Sequence, residues 1–366
     1  MKVVQVLPAL DGGGVERGTL EIAKGLVAAG HESIVISAGG RMVAQLEAEG
    51  SRHVGWDLGK KSPLTFRHVW ALRRWLRKEK PDILHLRSRM PAWVCWFAWK
   101  GLPENQRPHL VTTVHGLYSV SRYSSIMCRG ERVIAVSDTV RDYIRDNYPQ
   151  TDMGRVKVIY RGIDPDEFPH GYRPSDEWLH QWYQQYPQLK DRKVLTLPGR
   201  LTRLKGHHDF IDLIKQLRDA NQPVQGLIVG GEDPKRKAYA QEIRERVVQE
   251  GLAEVITFTG NRSDMREIYA VSDVVLSLSK KPESFGRTVL EALSVGTPVL
   301  GYAYGGVNEI LSLLYPEGLV NGRVSVDNVL AALNNAPGIK NTDMHTSVMI
   351  GSTLALYKDI SSAADY

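Results

Sequence analysis

Residues 193–220 read KVLTLPGRLTRLKGHHDFIDLIKQLRDA, and they contain the unit from which the rest of the chain is built. Lys193–Leu197 is a short apolar run typical of a strand, residues 198–206 have the proline and glycines of a loop, and His207–Ala220 has the pattern of a helix. Strands that alternate with helices form parallel sheets, because a parallel connection needs a long crossover. The stretch therefore predicts an α/β protein.

The same alternation runs through the whole chain. In the first half, the predicted strands and helices are Val3–Leu10, Glu16–Ala29, Glu32–Ala38, residues 64–80, Ile83–Leu86, Leu110–Val114 and Val133–Val136. In the second half they continue as Gly226–Gly230, Lys237–Gln249, Val255–Thr259, Ser263–Val271, Val274–Leu278, Arg287–Leu293, Pro298–Gly301 and Asn308–Leu314. Between the halves, residues 162–188 are rich in proline, aromatic and charged residues and interrupt the alternation.

This interruption predicts two doubly wound, Rossmann-like domains, residues 1–168 and residues 169–344. The length of 366 residues agrees, since a domain has about 100–200 residues. Open α/β domains bind ligands beyond the carboxyl ends of their strands. We therefore expect the ligand to lie in a cleft where these strand ends of the two domains face each other.

Composition excludes several classes of protein. The two cysteines, Cys95 and Cys128, are too few for a disulfide scaffold or a cysteine zinc site and indicate a reducing compartment. Val3–Leu10 is shorter than the apolar region of a signal peptide, and no apolar run approaches the roughly 20 residues of a membrane span. We therefore expect a cytoplasmic protein without a transmembrane helix.

Charge is concentrated in one segment. The net charge is +6, but residues 60–107 carry twelve Lys or Arg against three acidic residues, together with five of the eight tryptophans. On the helix predicted for residues 64–80, one face presents Arg67, Arg74 and Lys78. Such a patch favours an anionic partner, either a membrane surface or a phosphorylated acceptor, over nucleic acid. A solvated helix face beside core tryptophans is the alternative.

The first turn of the chain, DGGGVE at residues 11–16, has glycines between a strand and a helix. Gly13 and Gly14 would let the backbone approach a phosphate or a sugar, with the helix N-terminus behind it. The turn is not G-x-G-x-x-G, and no acidic residue closes the second strand, which disfavours a dinucleotide site. A plain tight turn is the alternative interpretation.

Other candidates also follow predicted strands. His115 comes directly after Leu110–Val114, where an imidazole can bind a substrate hydroxyl or serve a structural role. Arg200 and Lys205 lie in the loop after Lys193–Leu197. Two cations beside glycines suit a leaving diphosphate, whose negative charge develops in the transition state, although an unspecific basic loop has the same composition.

The segment ESFGRTVLE at residues 283–291 places two carboxylates around a predicted helix start. Glu283 falls in the loop and Glu291 in the second turn of the helix, so one carboxylate can accept hydrogen bonds from sugar hydroxyls and the other from ribose hydroxyls. The backbone amides between them would hold phosphate; these belong to Phe285, Gly286, Arg287 and Thr288. An ordinary helix with an exposed Glu is the alternative.

Taken in order, the glycine-rich turn, His115, Arg200 with Lys205, and the Glu283–Glu291 pair resemble a GT-B glycosyltransferase. More narrowly, they resemble the retaining family-4 enzymes that use nucleotide-sugar donors. The resemblance implies that Arg200 and Lys205 stabilise the donor diphosphate, that Glu283 holds the transferred sugar and Glu291 the nucleotide ribose. It also implies that His115 contacts the sugar and that Gly13 and Gly14 approach donor or acceptor.

One further feature of the chain agrees with this resemblance and one departs from it. The family ends in a helix that returns to the first domain, which implies that role for residues 345–366. The residue after Gly286 is often aliphatic in these enzymes, whereas here it is Arg287, which adds a third cation near the phosphates or faces solvent.

The resemblance implies a retaining, metal-independent transferase with no cofactor, which uses a UDP- or GDP-linked sugar. The acceptor would be a glycan or glycolipid of lipopolysaccharide core or another cell-surface polysaccharide, and the enzyme would sit peripherally on the inner membrane face. Asp164-Pro165-Asp166 is interpreted as a turn rather than a metal site. The alternatives are a GT-B nucleotide-sugar epimerase and a non-catalytic nucleotide-sugar-binding protein, while the missing fingerprint disfavours an NAD-dependent dehydrogenase.

Overall fold

The computed structural model of the protein describes residues 1–232, 237–335, 337 and 344–362. The chain divides into two compact units. Unit 1 contains Met1–Gly162 and the chain from Thr346 on, and unit 2 contains Ile163–His345. The division after Gly162 comes six residues before the boundary predicted at residue 168.

Unit 1 is built on a parallel sheet of seven strands. Its strands and helices up to Gly162 are β1 (Lys2–Val6), α1 (Gly14–Ala28), β2 (Glu32–Ser37), α2 (Val43–Ala48), β3 (Arg52–Gly55), α3 (His68–Glu79), β4 (Ile83–Leu86), α4 (Arg89–Lys100), β5 (His109–Val114), β6 (Arg132–Ala135), α5 (Asp138–Asn147) and β7 (Val156–Val158). The strand order is β3-β2-β1-β4-β5-β6-β7. The five central strands are almost entirely buried because helices cover both faces of the sheet, whereas the edge strands β3 and β7 are partly exposed.

Unit 2 repeats this plan with six strands. Its elements are α6 (Asp176–Gln185), β8 (Lys193–Pro198), α7 (His207–Asp219), β9 (Val224–Val229), α8 (Lys237–Gln249), β10 (Ile256–Gly260), α9 (Met265–Ala270), β11 (Val274–Ser277), α10 (Arg287–Val295), β12 (Val299–Tyr302), α11 (Gly305–Leu314), β13 (Leu319–Val320) and α12 (Val326–Asn334). The strand order is β10-β9-β8-β11-β12-β13, and all pairs are parallel. The predicted pair of doubly wound domains is confirmed.

The last described element is α13 (Thr346–Ser362), which groups with unit 1 and packs against α1. A Cβ added to Gly25 would lie 2.4 Å from a methyl carbon of Ile350, so the two helices approach closely at this glycine. Further along α13, the Tyr357 side chain is fully buried, and its hydroxyl lies 2.6 Å from Nδ1 of His85 on β4. Of residues 345–366, to which the resemblance gives the role of a returning helix, Thr346–Ser362 form a helix that packs in the core of unit 1, and residues 363–366 lie outside the described residues.

The helix predicted for residues 64–80 begins later than expected. Pro63–Arg67 forms a 3-10 turn in which the Ser62 hydroxyl accepts the backbone N–H of Leu64, and α3 starts only at His68. Arg67 therefore lies in the turn, while Arg74 and Lys78 lie in the helix. Among the described residues, no helix is both long and apolar enough to cross a membrane.

Candidate active site

In unit 2, the loop after β8 is held against the end of β11. Gly206, the residue before α7, has a φ of +75°, and a Cβ there would lie 2.2 Å from the carbonyl oxygen of Leu278. Only glycine combines this backbone conformation with such a close approach. As a result, the Lys205 side chain is carried to the carboxyl end of β11, where Glu283 lies.

Lys205 and Glu283 form an ion pair. The Nζ of Lys205 lies 2.7 Å from Oε1 of Glu283, and the hydroxyl of Ser279 donates to the same oxygen. Burial by itself would raise the pKa of the Glu283 carboxyl, but the charge and hydrogen bond of Lys205, aided by Ser279, outweigh it, so the pKa lies below its ordinary value. The carboxylate is therefore ionised and positioned at neutral pH.

Arg200 differs from Lys205 in its surroundings. It is exposed, and its side chain makes no hydrogen bond or ion pair with any residue that the structure describes. It follows Gly199, whose φ of +133° turns the chain sharply at the end of β8. The structure thus brings Lys205 and Glu283 together and leaves Arg200 available to a ligand beside them.

The segment between the two predicted carboxylates starts α10. Gly286 has a φ of +96° and precedes the helix without a side-chain cap, so the backbone amides of the first turn, which begins at Arg287 and Thr288, are not capped by the residue before them. Phe285 is buried, and the peptide of Glu283 is tied to α11 by the bond from the Gly306 N–H to the Glu283 carbonyl, 2.8 Å long. This helix start therefore has the form that binds phosphate oxygens.

Glu291 is buried. This excludes the alternative interpretation, in which an ordinary helix carries an exposed Glu at this position. Its carboxylate accepts hydrogen bonds from the Tyr269 hydroxyl and from Nε of Arg287, each 3.0 Å long. Arg287 is itself mostly buried, so the expectation that it faces solvent is wrong. Instead it holds the carboxylate that the resemblance assigned to ribose.

In unit 1, the glycine-rich turn leads into α1 and is contacted by two arginines. The Nε of Arg41 donates to the carbonyl of Asp11, and Nη1 of Arg161 donates to the carbonyl of Gly14 over 2.7 Å. A Cβ on Gly14 would lie 2.6 Å from Nη1 of Arg161, so the glycine is needed for this contact. Gly13, with a φ of +154°, is the residue before the helix.

His115 lies at the end of β5 and contacts the same arginine. Its Nδ1 is 2.7 Å from Nη2 of Arg161, while its Nε2 is buried and has no hydrogen-bond partner among the described residues. Burial lowers the pKa of the imidazole well below its ordinary value, and the charges of Arg161 and Arg87 lower it further. His115 is therefore neutral, and it belongs to one cluster with Arg161 and Gly14.

Comparison of the chain with known proteins shows which class of enzyme it belongs to. Residues 12–167 match the model described as Glycosyltransferase Family 4, and residues 181–336 match the model described as Glycosyl transferases group 1. A glycosyltransferase from Rickettsia africae matches 98% of both chains with a TM-score of 0.80 and 28% identity. The chain is a glycosyltransferase of the GT-B fold.

Other similar proteins span the same length. An uncharacterized glycosyltransferase of Methanocaldococcus jannaschii is 26% identical over 348 residues, which cover 85% of this chain and 83% of that protein. The Anabaena HepE structure in complex with UDP and glucose has a TM-score of 0.74 and 21% identity, covering 100% of this chain and 99% of the other. The lipopolysaccharide outer core galactosyltransferase WaaB has a TM-score of 0.70 and 15% identity, covering both chains fully. The last two likenesses show the fold.

The basic patch of this glycosyltransferase has an apolar neighbour that the sequence did not reveal. Arg67, Arg74 and Lys78 are exposed, as expected. Beside them, four apolar side chains are exposed, including Trp70 at 73% and Leu64 at 72%. The other four tryptophans of residues 60–107, which are Trp75, Trp93, Trp96 and Trp99, pack against the core of unit 1, as the alternative interpretation of the segment expected. We call the exposed set the α3 face; it comprises Leu64, Phe66, Arg67, Trp70, Arg74, Lys78 and Phe97.

Contacts between α3 and α4 shape this face. Phe66 and Phe97 meet edge to face at 5.8 Å, and the guanidinium of Arg73 lies 4.8 Å from the Trp70 ring while Nη2 donates to the carbonyl of Phe97. Exposed aromatic side chains among cations are typical of surfaces that enter lipid headgroups.

The sequence analysis did not single out Ser279, Tyr269 or Arg161, which contact the predicted site residues. Arg161 directly precedes the Gly162-Ile163-Asp164 segment, and its position after β7 was the available signal.

The Asp164 carboxylate accepts the backbone N–H of Asp166 at 2.9 Å, which is the predicted turn. Among the described residues, no three His, Cys, Asp or Glu side chains converge as metal ligands.

Proposed function

We propose that this glycosyltransferase is a retaining enzyme that transfers a sugar from a nucleotide-diphosphate sugar to a glycan or glycolipid. The observation that carries the proposal is the Lys205–Glu283 ion pair beside the exposed Arg200 at the carboxyl end of the unit 2 sheet. A nucleotide-sugar donor has an anionic leaving group, which needs cations, and a sugar with several hydroxyls, which a carboxylate can bind. The arrangement puts both kinds of group within reach of one ligand.

In the proposed reaction, Lys205 and Arg200 stabilise the diphosphate as the bond between its oxygen and sugar C1 breaks. The amides at the start of α10 add hydrogen bonds to phosphate oxygens. Glu283 accepts hydrogen bonds from sugar hydroxyls. The acceptor hydroxyl attacks C1 from the face that the diphosphate leaves, and its proton passes to a diphosphate oxygen, so the anomeric configuration is retained without a protein nucleophile or a metal ion.

Two observations bear on how the nucleotide is bound: the surroundings of Glu291 and the nucleotides held by similar proteins. We assign the vicinal ribose hydroxyls to Glu291, whose carboxylate oxygens retain lone pairs beside the bonds from Tyr269 and Arg287. The HepE structures hold UDP and UDP-glucose, which favours UDP over GDP as the first donor to test.

We further propose that the acceptor is presented at an anionic membrane, where the α3 face docks the enzyme peripherally. Its exposed cations match anionic headgroups, and Trp70, Phe66 and Phe97 suit the headgroup level. The resemblance to WaaB, named as a lipopolysaccharide outer core galactosyltransferase, favours lipopolysaccharide core or another cell-surface glycan as the product.

A panel of UDP- and GDP-sugars tests the proposal. A ligand of the native state raises the melting temperature, so the cognate donor should stabilise the protein. That donor should then be used in a transfer assay with lipid-linked and free glycans, and the anomeric configuration of the product determined by NMR. Conversion of the donor alone into its epimer would identify an epimerase instead. Stabilisation without turnover of any acceptor would identify a binding protein, and inversion would refute the retaining mechanism.

A further inference from the structure

The contact between Arg161 and His115 determines which ring nitrogen carries the proton. A guanidinium has only N–H donors and stays charged, so the Nδ1 atom, 2.7 Å from Nη2 of Arg161, must offer its lone pair. A neutral imidazole with an accepting Nδ1 carries its hydrogen on Nε2. His115 therefore points an N–H from Nε2 into a buried position where no described residue accepts it.

An unpaired buried donor is costly, and native proteins keep few of them. At His115 this free-energy cost follows from the contact with Arg161. Without the guanidinium, the ring could carry its hydrogen on Nδ1, and the buried Nε2 would then have no N–H. Nη1 of Arg161 is in turn tied to the Gly14 carbonyl at the start of α1, the turn that the sequence predicts to approach a ligand. The ring, the guanidinium and the glycine turn are thus joined by hydrogen bonds.

We propose that Arg161 is a positioning residue of this enzyme, which holds His115 as a hydrogen-bond donor through Nε2 to an oxygen of the bound substrate. The inference rests on the proposed function for the identity of that substrate. In a nucleotide-diphosphate sugar, the hydroxyl and phosphoryl oxygens have lone pairs that can accept this N–H. Since Arg161 occupies the only lone pair of the ring, His115 does not act as a general base.

The groups around the ring support a neutral donor. Arg161 and Arg87 are positive, and Arg87, which directly follows β4, is buried and donates from Nη1 to the Gln5 side-chain oxygen. His85 is fully buried, and burial also lowers its pKa well below the ordinary value. The Tyr118 hydroxyl accepts the backbone N–H of His115 and has a pKa raised by burial. None of these four groups offers a negative charge to an imidazolium.

Nitrogen NMR of protein labelled with ¹⁵N-histidine tests the proposal without any substrate. In the wild type, the His115 ring should show an accepting Nδ1 and a protonated Nε2, and it should stay neutral as the pH falls through the range in which an ordinary imidazole becomes protonated. Arg161→Met should bring a second tautomer at neutral pH and protonation on acidification. Arg41→Met is the matched control, because it removes a guanidinium from the same glycine turn without touching His115. It should leave the ring signals unchanged.

A kinetic cycle tests whether the position matters for transfer. His115→Phe and Arg161→Met should each lower kcat/KM at least about 10-fold, and the double variant should be no worse than His115→Phe, because both act through one N–H. Arg161→Lys, which keeps a donor and a charge, should recover part of the loss. A wild-type ring protonated on Nδ1, or ring signals unaffected by Arg161→Met, would overturn the proposal whether or not transfer is observed. Additive kinetic losses would also overturn it, and a failed transfer assay alone would count against the proposed function.

Discussion

Replacing Lys205 with Met should lower both stability and turnover, and the two effects have separate physical origins. The substitution keeps an unbranched apolar stem but removes the cation 2.7 Å from the Glu283 carboxylate. The carboxylate then retains the Ser279 hydroxyl as its side-chain donor. Because both side chains are mostly withdrawn from water, the lost charge is poorly replaced by solvent.

The size of the stability loss follows from this burial. A hydrogen bond to a charged group contributes about 1.5–3 kcal/mol, and breaking a fully buried ion pair costs about 3–5 kcal/mol. The side chains of Lys205 and Glu283 retain 30% and 23% of their exposure, which favours the smaller range. We expect a loss of about 2 kcal/mol in the free energy of unfolding, or about 4–8 °C in melting temperature for a unit of this size.

The pH dependence has a definite sign. The pKa of Glu283 in the folded protein lies below its ordinary value, so the pair stabilises the fold above the ordinary carboxyl pKa. That stabilisation is lost as the pH falls through the lowered pKa. The difference in stability between wild type and Lys205→Met should therefore be largest near pH 7 and shrink in acid, as measured by urea unfolding at each pH.

Arg200→Met is the matched control, because Arg200 is exposed and makes no ion pair with the described residues. Both variants should lose about 100-fold or more in kcat through weaker stabilisation of the leaving diphosphate, but only Lys205→Met should lose stability. Glu283→Gln combined with Lys205→Met should destabilise less than the sum of the two single changes. Equal stability of the two single variants, or a difference that grows in acid, would refute the reasoning.

Three further predictions concern the donor, the metal and the membrane. Glu291→Ala should mainly raise the KM for the donor, since ribose contacts change little during the reaction, and an unchanged donor KM would exclude the ribose role. EDTA should leave activity intact; loss on chelation with recovery on adding Mg²⁺ or Mn²⁺ would contradict the metal-free mechanism. Reversing three charges of the α3 face should weaken binding to anionic vesicles about 100-fold or more, at about 1 kcal/mol per cation. The triple variant is Arg67→Glu, Arg74→Glu and Lys78→Glu, and the control of equal charge is Lys157→Glu, Lys190→Glu and Arg192→Glu at other exposed positions. Equal sedimentation of both triple variants would remove the membrane role.

Much of the fold could be predicted because it depends on local patterns. Apolar residues recur with different spacings in strands and in helices, so each βα unit can be recognised within about thirty residues. The predicted Ile83–Leu86 strand and Lys237–Gln249 helix have the observed bounds. Prediction of residues 64–80 erred where Ser62 and Pro63 form a turn that competes with the helix. The helix α6 was missed, because its stacked Trp178 and Trp182 resemble a loop rich in aromatic residues.

The site was predicted as a set of positions but without its pairings. Lys205 and Glu283 are 78 residues apart, and Arg161 and Gly14 are 147 apart. No local pattern states which loops meet, since this depends on the order of strands in the sheet. Arg287 is a second example. The sequence analysis expected its side chain near the phosphates or in solvent, but Arg287 lies one helical turn before Glu291 and forms an ion pair with it.

By itself, the sequence determined the α/β class, the two doubly wound units and the glycines that the sharp turns require, because these follow from side-chain periodicity and backbone sterics within short segments. Only the tertiary structure decided which charges are paired, which tryptophans are exposed and which groups contact the His115 ring. Those properties depend on atoms brought together from distant segments, where burial and a single well-placed donor outweigh the intrinsic preference of each residue. Arg161 illustrates this: its position after β7 does not show what it contacts, yet its guanidinium bridges the glycine turn and the histidine.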